Sequence, residues 1–368
     1  MAFHQVKKTL PLAIAGVLLV GCGSSSNDTP TTPVAPPEGR FDTIEIDASE
    51  GESTRVDLAS KTAVIDNSWD VAYKKFIGFV TNDKVLGCIA HSYDQLFVDG
   101  KPVAEEFKKL TFDNTVDNFN KVTADACKDD EYIGEGIDPR ITMLEWLEAD
   151  YSQGAPTYNA KPGNGWLLRL SNGKTYAKFS VKTVDVVTGA NPRRHVVVST
   201  SLWDDTSQQF AAAVDSPILD FTTSRVFFDI DTNKVVTESE GWDISIKHLL
   251  RDYIIQVNNG AASTGKAGVG QLQVALDDVT NPKEARQVAH YLADKSAGIL
   301  SQPGNYGPLQ YAVDGGHKMW PTFTTYLIKD TTNGDTRLFK FQVISNYGKS
   351  GGEASGNHVY RVEELQAQ

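Results

Sequence analysis

The sequence predicts a mainly β protein built as two tandem, antiparallel β-rich domains with a few short helices. Three observations lead to this expectation: a diverged internal repeat, apolar residues that alternate with polar ones, and Asn-Gly pairs between the alternating runs. A chain of 368 residues has room for two domains of ordinary size. The expected domains cover residues 40–208 and 209–368.

The internal repeat consists of short segments that recur in the same order with similar spacing. The matched pairs are 67–72 with 240–245, 166–169 with 326–329, 172–173 with 333–334, 178–181 with 340–343, and 195–196 with 358–359. The first pair carries a Trp-Asp dipeptide in both copies. Two copies do not make a solenoid, so we expect each copy to have its own core and to fold separately, with a boundary near 204–213.

The alternation of apolar and polar residues predicts strands with one buried face. Residues 337–344 and 176–184 both follow this period of two. The pairs Asn172-Gly173 and Asn333-Gly334 suit tight hairpin turns, and 231–234 separates two further strand-like runs.

Two helices are expected between the strands. One begins near Asn281-Pro282, a cap followed by a first-turn proline, and continues to Leu292 with its apolar residues on one face. A shorter helix is expected over 141–149.

The N-terminus has the features of an export signal. Lys7 and Lys8 precede an apolar run, 10–20, which is too short to span a bilayer. The run ends in Leu19-Val20-Gly21-Cys22, which resembles a lipobox. We therefore expect residues 1–21 to be a lipoprotein signal peptide and Cys22 to carry the lipid, including palmitate. The alternative is a buried apolar strand or core helix.

The segment 22–39 is expected to be a disordered tether. It is rich in Ser, Thr, Pro, Asn and Gly, so it has little apolar surface to offset the entropy cost of ordering. In polyproline geometry it would extend roughly 50 Å from the membrane. Gly23, which is not aspartate, favours delivery to the outer membrane, with the protein facing either the periplasm or the cell surface.

The charge of the chain argues against nucleic-acid partners. The formal net charge is −12, and loss of Lys7 and Lys8 with the signal would make it more negative by two. Such a surface repels phosphate backbones and anionic lipid headgroups. The lipid, and not the protein surface, is therefore the expected contact with the membrane.

Cysteine usage predicts one disulfide. With Cys22 acylated, Cys88 and Cys127 are left, and an even pair in an exported protein usually forms a bridge. The alternative is two unrelated buried thiols.

No motif in the sequence supports an enzyme. The run 348–352 fits the letters of a nucleophile elbow but lies between two strand-like runs in a Gly/Ser loop, whereas that motif joins a strand to a helix. His195 and His358 are equivalent in the repeat, which favours structural roles. His317 lies in a glycine-rich loop two residues before Met319 and three before Trp320, and the first copy has Thr157 at the aligned position.

These features together resemble the HmuY-like family of haem-binding bacterial lipoproteins. The resemblance rests on the lipobox, the Trp-Asp strand 241–246, the Asn258-Asn259-Gly260 run, and the late hairpin 326–341. It is strongest over 220–365. A tandem pair departs from the single-domain pattern of the family.

The resemblance implies non-covalent haem b held by two side chains and passed to a TonB-dependent receptor, with host or environmental haem proteins as its source. By position it implies His317 as an axial ligand, with Met319 or His290 as the other. Lys318 is then expected at a propionate and Trp320 against the porphyrin. The alternative is a surface or periplasmic interaction lipoprotein that keeps the fold and binds no haem.

Overall fold

A computed structural model describes residues 41–152, 156–249, 251–332 and 334–366. In chain order the strands are β1 Asp42–Asp47, β2 Thr54–Asp57, β3 Thr62–Val64, β4 Val71–Lys74, β5 Gly78–Thr81, β6 Val85–His91, β7 Phe97–Val98, β8 Lys101–Pro102, β9 Ile137–Asp138, β10 Leu147–Asp150, β11 Thr157–Ala160, β12 Trp166–Arg169, β13 Tyr176–Val187, β14 Arg193–Asp204, β15 Gln209–Phe210, β16 Val214–Asp215, β17 Leu219–Asp220, β18 Val226–Asp229, β19 Lys234–Val236, β20 Ile244–Leu249, β21 Asp252–Val257, β22 Gly268–Leu272, β23 Val288–Leu292, β24 Lys295–Ser296, β25 Leu309–Tyr311, β26 Met319–Pro321, β27 Thr325–Asp330, β28 Arg337–Ser345 and β29 Asn357–Leu365.

Helices are few and short. They are α1 Ala104–Lys109, α2 Val116–Lys121 and α3 Met143–Trp146, with single 3-10 turns at Asp94–Leu96, Asp113–Thr115, Asp129–Glu131 and Ile299–Ser301. The predicted mainly β class is therefore confirmed, and the strand pairs within the sheets are antiparallel, as predicted.

The first and last strands of the chain build one lobe, which we call the outer lobe (41–136 and 297–366). Its larger sheet has the order β1-β29-β28-β27-β6, and its smaller sheet has the order β3-β2-β4-β5. Alternating side chains of both sheets form one apolar core, which includes Val56, Phe79, Ile328, Phe341 and Tyr360. Burial of these side chains on one face of each sheet is the main stabilising contribution to this lobe.

The middle of the chain builds a second lobe, which we call the inner lobe (137–296). Its larger sheet follows the order β15-β14-β13-β12-β22-β23, and its smaller sheet follows the order β19-β18-β20-β21. A separate core lies between them and includes Trp146, Phe179, Val198, Phe228 and Ile255.

The predicted boundary at 208/209 does not separate the two lobes. The Trp-Asp hairpin β4–β5 is followed by β6, which pairs with β27 near the C-terminus and not with the terminal hairpin of its own half. In the same way β22, which follows the second Trp-Asp hairpin, pairs with β12 from the first half. The strands of the two copies are thus exchanged. The physical reason is connection length: because few residues separate β14 from β17, the terminal hairpin of the first copy and the Trp-Asp strands of the second are neighbours in the chain and share one core.

The inner lobe is joined to the outer lobe through two adjacent strands. The outgoing strand β9 pairs with the returning strand β24, and the Ala297 N–H donates to the Gly136 carbonyl over 2.9 Å. The Glu135 carboxylate beside this point accepts from the Thr81 N–H (3.2 Å) and the Ser296 hydroxyl (2.7 Å). The chain therefore enters and leaves the inner lobe at one place, as an inserted domain does.

Two helix predictions differ from the structure. Residues 281–287 form turns and Val288–Leu292 is strand β23, so the predicted helix from Asn281 is wrong. The exposed edge of β22 offers backbone partners that a short isolated helix cannot match. The helix over 141–149 is cut to Met143–Trp146, because β10 begins at Leu147 and pairs with β11.

The turn and disulfide predictions can be compared directly. Gly173 has φ 73°, and the Asn172 side chain accepts the Lys174 N–H in the β12–β13 hairpin. The segment 231–234 joins β18 to β19 as expected. The Cys88–Cys127 disulfide is confirmed and lies in an apolar cluster under β27.

Several predictions fall on residues that the structure does not describe. These are the signal 1–21, the tether 22–39 with Cys22, and Asn333 of the second predicted turn. Within the described ranges, no helix has the length and apolar character needed to cross a bilayer.

The exchanged arrangement makes a direct prediction about fragments. A fragment of residues 137–296 should be soluble and unfold cooperatively in urea, because it contains both sheets and the whole core of the inner lobe. A fragment of 209–368 should lack cooperative unfolding, because β27–β29 would lose β1 and β6. Circular dichroism during urea titration measures both. If the fragment 209–368 folded cooperatively and the fragment 137–296 did not, the predicted boundary at 208/209 would be correct and the exchanged arrangement would be wrong.

Candidate functional site

In both lobes, the Trp-Asp motif of the repeat joins neighbouring segments through buried hydrogen bonds. The Asp70 and Asp243 carboxylates are buried and accept the N–H of Leu58 (2.7 Å) and Ile230 (2.8 Å), respectively. An asparagine follows the next strand in each lobe. Asn82 donates to the Trp69 carbonyl over 2.9 Å, and Asn258 donates to the Trp242 carbonyl over 2.7 Å. The recurrence of this geometry supports the repeat. Asn82 was missed in the sequence because nothing local distinguishes it from an ordinary turn asparagine.

The two aspartates differ in how well they are satisfied. The second oxygen of Asp243 accepts the Ser171 N–H over 2.7 Å. The Thr332 N–H, near the corresponding place in the outer lobe, donates to Asp330 instead, and Oδ1 of Asp70 has no hydrogen-bond partner among the described residues. Burial and, to a lesser extent, the charge of Asp330 raise the pKa of Asp70 to about 8.

A group of three carboxylates surrounds the motif in the inner lobe. Oxygens of Asp229, Asp231 and Asp243 lie within 4.8 Å of one another. Burial raises the pKa of Asp231 to about 6, and the charges of Asp243 and Asp229 add to this shift. Both Asp243 oxygens already accept backbone N–H groups, so this cluster is explained by the fold.

A cleft with a volume of about 810 Å³ lies where the two lobes meet. Its walls come from the β4–β5 hairpin and the 300–307 segment of the outer lobe, and from β12 and the end of β23 in the inner lobe. A volume of this size is typical of small-molecule sites.

Cationic side chains outnumber acidic ones in this cleft. Three carboxylates, Glu50, Glu52 and Asp294, face six cations: Lys74, Lys75, Arg140, Arg169, Lys266 and Lys295. Of the six cations, only Lys266 has a carboxylate within salt-bridge distance in the described residues, namely Glu52 at 2.9 Å. In a chain with net charge −12, this is a local reversal of sign.

Lys74 is the most buried of these cations. The residue is 5% exposed, and Nζ donates to the side-chain oxygen of Asn259 (3.0 Å) and to the carbonyls of Ser263 (3.2 Å) and Gly265 (2.9 Å). All three partners are neutral, and burial lowers the pKa of Lys74. Since Lys74 belongs to β4 and its partners to the 259–265 loop, this contact also joins the two lobes.

None of the predicted site residues that the structure describes lines the cleft, and residues 317–320 lie on a different hairpin, β25–β26. His317 is exposed in the connecting loop, and its Nδ1 is 2.7 Å from the Tyr311 hydroxyl. The Tyr311 ring lies 6.5 Å from the ring of Tyr306, which lines the cleft. Tyr306, Tyr311 and His317 therefore form a row of rings that begins at the cleft, and we call it the aromatic row.

The neighbours of His317 point elsewhere. Met319 packs against the core of the outer lobe, and Trp320 packs against Phe107 with ring centroids 6.4 Å apart. The Nε1 atom of Trp320 is buried without a hydrogen-bond partner in the described residues. Lys318 is exposed. The structure thus brings His317 together with Tyr311, whose hydroxyl the sequence did not single out.

Three further histidines lie away from this hairpin. His290 is exposed on β23 of the inner lobe, in a strand and not in the predicted helix. His358 is fully buried between Tyr360 and Asn346, to which its ring nitrogens hydrogen-bond, and burial lowers its pKa to about 3. His195 lies 3.4 Å from the Asp220 carboxylate on β17.

No protein-family model matches this chain, and no curated protein matches it. Functional inference therefore rests on the cleft and on the hairpin around His317.

The difference between the two buried aspartates predicts a pH effect on stability. Because the pKa of Asp70 is raised from 3.8 to about 8, its contribution is full below about pH 4 and is lost as pH rises through about 8. Asp70→Asn should remove this part of the pH dependence and be more stable than the wild type at pH 8.5. Urea unfolding at pH 5, 7 and 8.5 measures it.

Asp243→Asn is the matched control. It should lose about 1–3 kcal/mol at pH 5, because the new amide nitrogen would face a backbone N–H that the carboxylate oxygen accepts in the wild type. Since burial raises the pKa of Asp243 as well, this loss should become smaller as pH rises. Equal pH slopes for Asp70→Asn and the wild type would contradict the assignment.

Proposed function

We propose that this chain is a lipoprotein anchored to the outer membrane, that it captures haem b without covalent attachment, and that it passes the haem to a TonB-dependent receptor. In this proposal it is a binding protein and not an enzyme. The observation that carries it is the Tyr311–His317 pair on the β25–β26 hairpin. The resemblance in the lipobox, the Trp-Asp strand and the late hairpin adds to that observation.

The hairpin residues fit an axial-ligand role. Nδ1 of His317 is held by the Tyr311 hydroxyl at 2.7 Å, while Nε2 has no partner among the described residues and the ring is exposed. Histidine ligands of metals commonly have one nitrogen held by a hydrogen bond while the other binds the metal. When bound, haem would supply an iron centre that accepts this nitrogen. Tyr311 would then act as a positioning residue.

The surroundings of the hairpin suit a flat, amphipathic dianion. The aromatic row offers ring surface for a porphyrin face. Lys318, exposed beside His317, is the candidate for a propionate.

The second axial ligand is Met319 or His290 in this proposal. Met319 would have to turn away from the core of the outer lobe, where its side chain packs. His290 is already exposed, but it belongs to the inner lobe. Substituting Met319 tests a ligand from the outer lobe, and substituting His290 tests a ligand from the inner lobe.

Haemin titration of residues 40–368 tests the proposal. The wild type should give a six-coordinate low-spin Soret spectrum, and His317→Ala should lose it. Tyr311→Phe should keep the spectrum with affinity weakened about tenfold, because only the hydroxyl that holds the imidazole is removed. His248→Ala, an exposed histidine of the inner lobe, is the matched control and should behave as the wild type.

The second ligand is assigned in the same titration. Loss of the low-spin spectrum in Met319→Leu or in His290→Ala identifies it. An unchanged spectrum in His317→Ala rejects His317. A wild type that gives no Soret shift rejects haem capture and favours the ligand-free interaction lipoprotein.

The anchor has an independent test. Palmitate labelling of the full chain in a bacterial host that processes lipoproteins should mark the wild type and not Cys22→Ser, because Cys22 is the residue that follows the lipobox-like segment. Cys88→Ser is the matched control and should label normally. Equal labelling of Cys22→Ser and the wild type would reject the lipid anchor.

A further inference from the structure

We propose that the cleft between the two lobes is a binding site for a small organic polyanion that carries a flat apolar ring, a site separate from the haem ligand His317. The proposal rests on the excess of positive charge in the cleft, on the buried Lys74 and on the exposed Phe76. The haem proposal above is not needed for any of these.

The first argument is the local reversal of charge. Six cationic and three acidic side chains line the cleft, although acidic residues exceed basic ones in the chain as a whole. Like charges gathered in a recess repel one another and raise the free energy of the protein unless something compensates them. A concave surface of one sign also concentrates the field and attracts small ions of opposite sign. A ligand with two or more carboxylate or phosphate groups satisfies both conditions.

The second argument is the state of Lys74. The residue is 5% exposed and the hydrogen-bond partners of its ammonium are neutral oxygens, while Glu52, which is ion-paired with Lys266, compensates the Lys74 charge only from a distance. A buried cation without an ion pair costs stability, and an anion placed in the cleft would offset that cost. Because Lys74 and Arg169 belong to different lobes, a polyanion that reaches both would hold the lobes together.

The third argument concerns the rim of the cleft. Phe76, at the β4–β5 turn, is 79% exposed and has φ 68°. A bulky residue in the left-handed region is strained, and such strain is typically kept where a side chain has a task. Tyr306 and Tyr291 line the same cleft, so a planar ring would meet aromatic surface there.

The fourth argument is that hydrogen bonds to neutral partners hold two arginine side chains in place without neutralising their charge. Arg169 donates through Nε to the Lys266 carbonyl (2.9 Å) and lies 5.5 Å from the Tyr291 ring. Arg140 donates through Nε to the Ala293 carbonyl over 2.7 Å. Both contacts fix the side chains with neutral partners, which is the preorganisation that an anion site needs.

Isothermal titration calorimetry of residues 40–368 with benzene-1,3,5-tricarboxylate tests the site. The tricarboxylate should bind with a Kd below about 1 mM. The uncharged benzene-1,3,5-trimethanol, which has the same ring, should give no measurable heat. Binding of the two compounds with equal affinity, or no binding of the tricarboxylate up to about 10 mM, would overturn the proposal.

Charge variants identify the location. Lys75→Gln with Lys295→Gln takes one cation from each lobe and should weaken tricarboxylate binding about tenfold. Lys101→Gln with Lys234→Gln makes the same change in net charge at exposed lysines outside the cleft and should leave Kd within about twofold. If both double variants weakened tricarboxylate binding equally, the effect would come from the net charge of the protein alone, and the site would be rejected. The single variant Lys295→Gln, at an exposed position, repeats the test should the double variant fold poorly.

Phe76→Gly separates binding from stability. Glycine relieves the positive φ, so the variant should be at least as stable as the wild type in urea, while tricarboxylate binding weakens severalfold because the ring contact is gone. Unchanged tricarboxylate binding in this variant would remove the aromatic part of the proposal. None of these variants touches His317, so failure of the haem titration and failure of this site are distinguishable.

Discussion

The outer lobe depends on the pairing of the first strands of the chain with the last. Strand β1 pairs with β29, and β6 pairs with β27, so β1 and β6 complete one sheet together with β27, β28 and β29. If either group of strands were missing, the other would lack a complete sheet to cover its apolar side chains. This constraint places the inner lobe as an insertion whose entry and exit strands, β9 and β24, lie side by side. It also places the interlobe cleft, since the loop after β21 and the β4–β5 hairpin meet only in this arrangement.

Within each lobe, the aspartate of the Trp-Asp strand and the asparagine after the next strand form hydrogen bonds that join the smaller sheet to neighbouring segments of the chain. In the inner lobe both oxygens of Asp243 accept N–H groups, one of them from the β12–β13 hairpin of the larger sheet. In the outer lobe Asp330 takes the donor that would serve Asp70, and one buried oxygen is left without a partner. The same dipeptide therefore gives a carboxyl group with both oxygens hydrogen-bonded in one lobe and a carboxyl group with one unpartnered oxygen in the other, and burial raises the pKa of both.

The cleft and the β25–β26 hairpin are neighbouring features with different chemistry. The cleft collects cations from both lobes, while the hairpin presents an exposed imidazole whose orientation is held by Tyr311. The aromatic row connects them through Tyr306. Capture of haem uses His317 and Tyr311, whereas binding of a ring-bearing polyanion uses the cleft cations, and Tyr306 borders both.

The sequence by itself determined the β class, the repeated Trp-Asp strands, the turn at 231–234 and the Cys88–Cys127 bridge, because each depends on local alternation, turn residues or an even cysteine count. Local pattern failed at 281–292, where an available sheet edge turned a helical pattern into strand β23. Of the site residues, His317 was singled out from its glycine-rich loop, whereas Tyr311 became its partner only through the pairing of β25 with β26. The exchange of strands between copies and the basic cleft were decided by the tertiary structure. The residues that meet there, such as Lys74 and Asn259, are far apart in the chain, and only sheet pairing across both lobes brings them within hydrogen-bond distance.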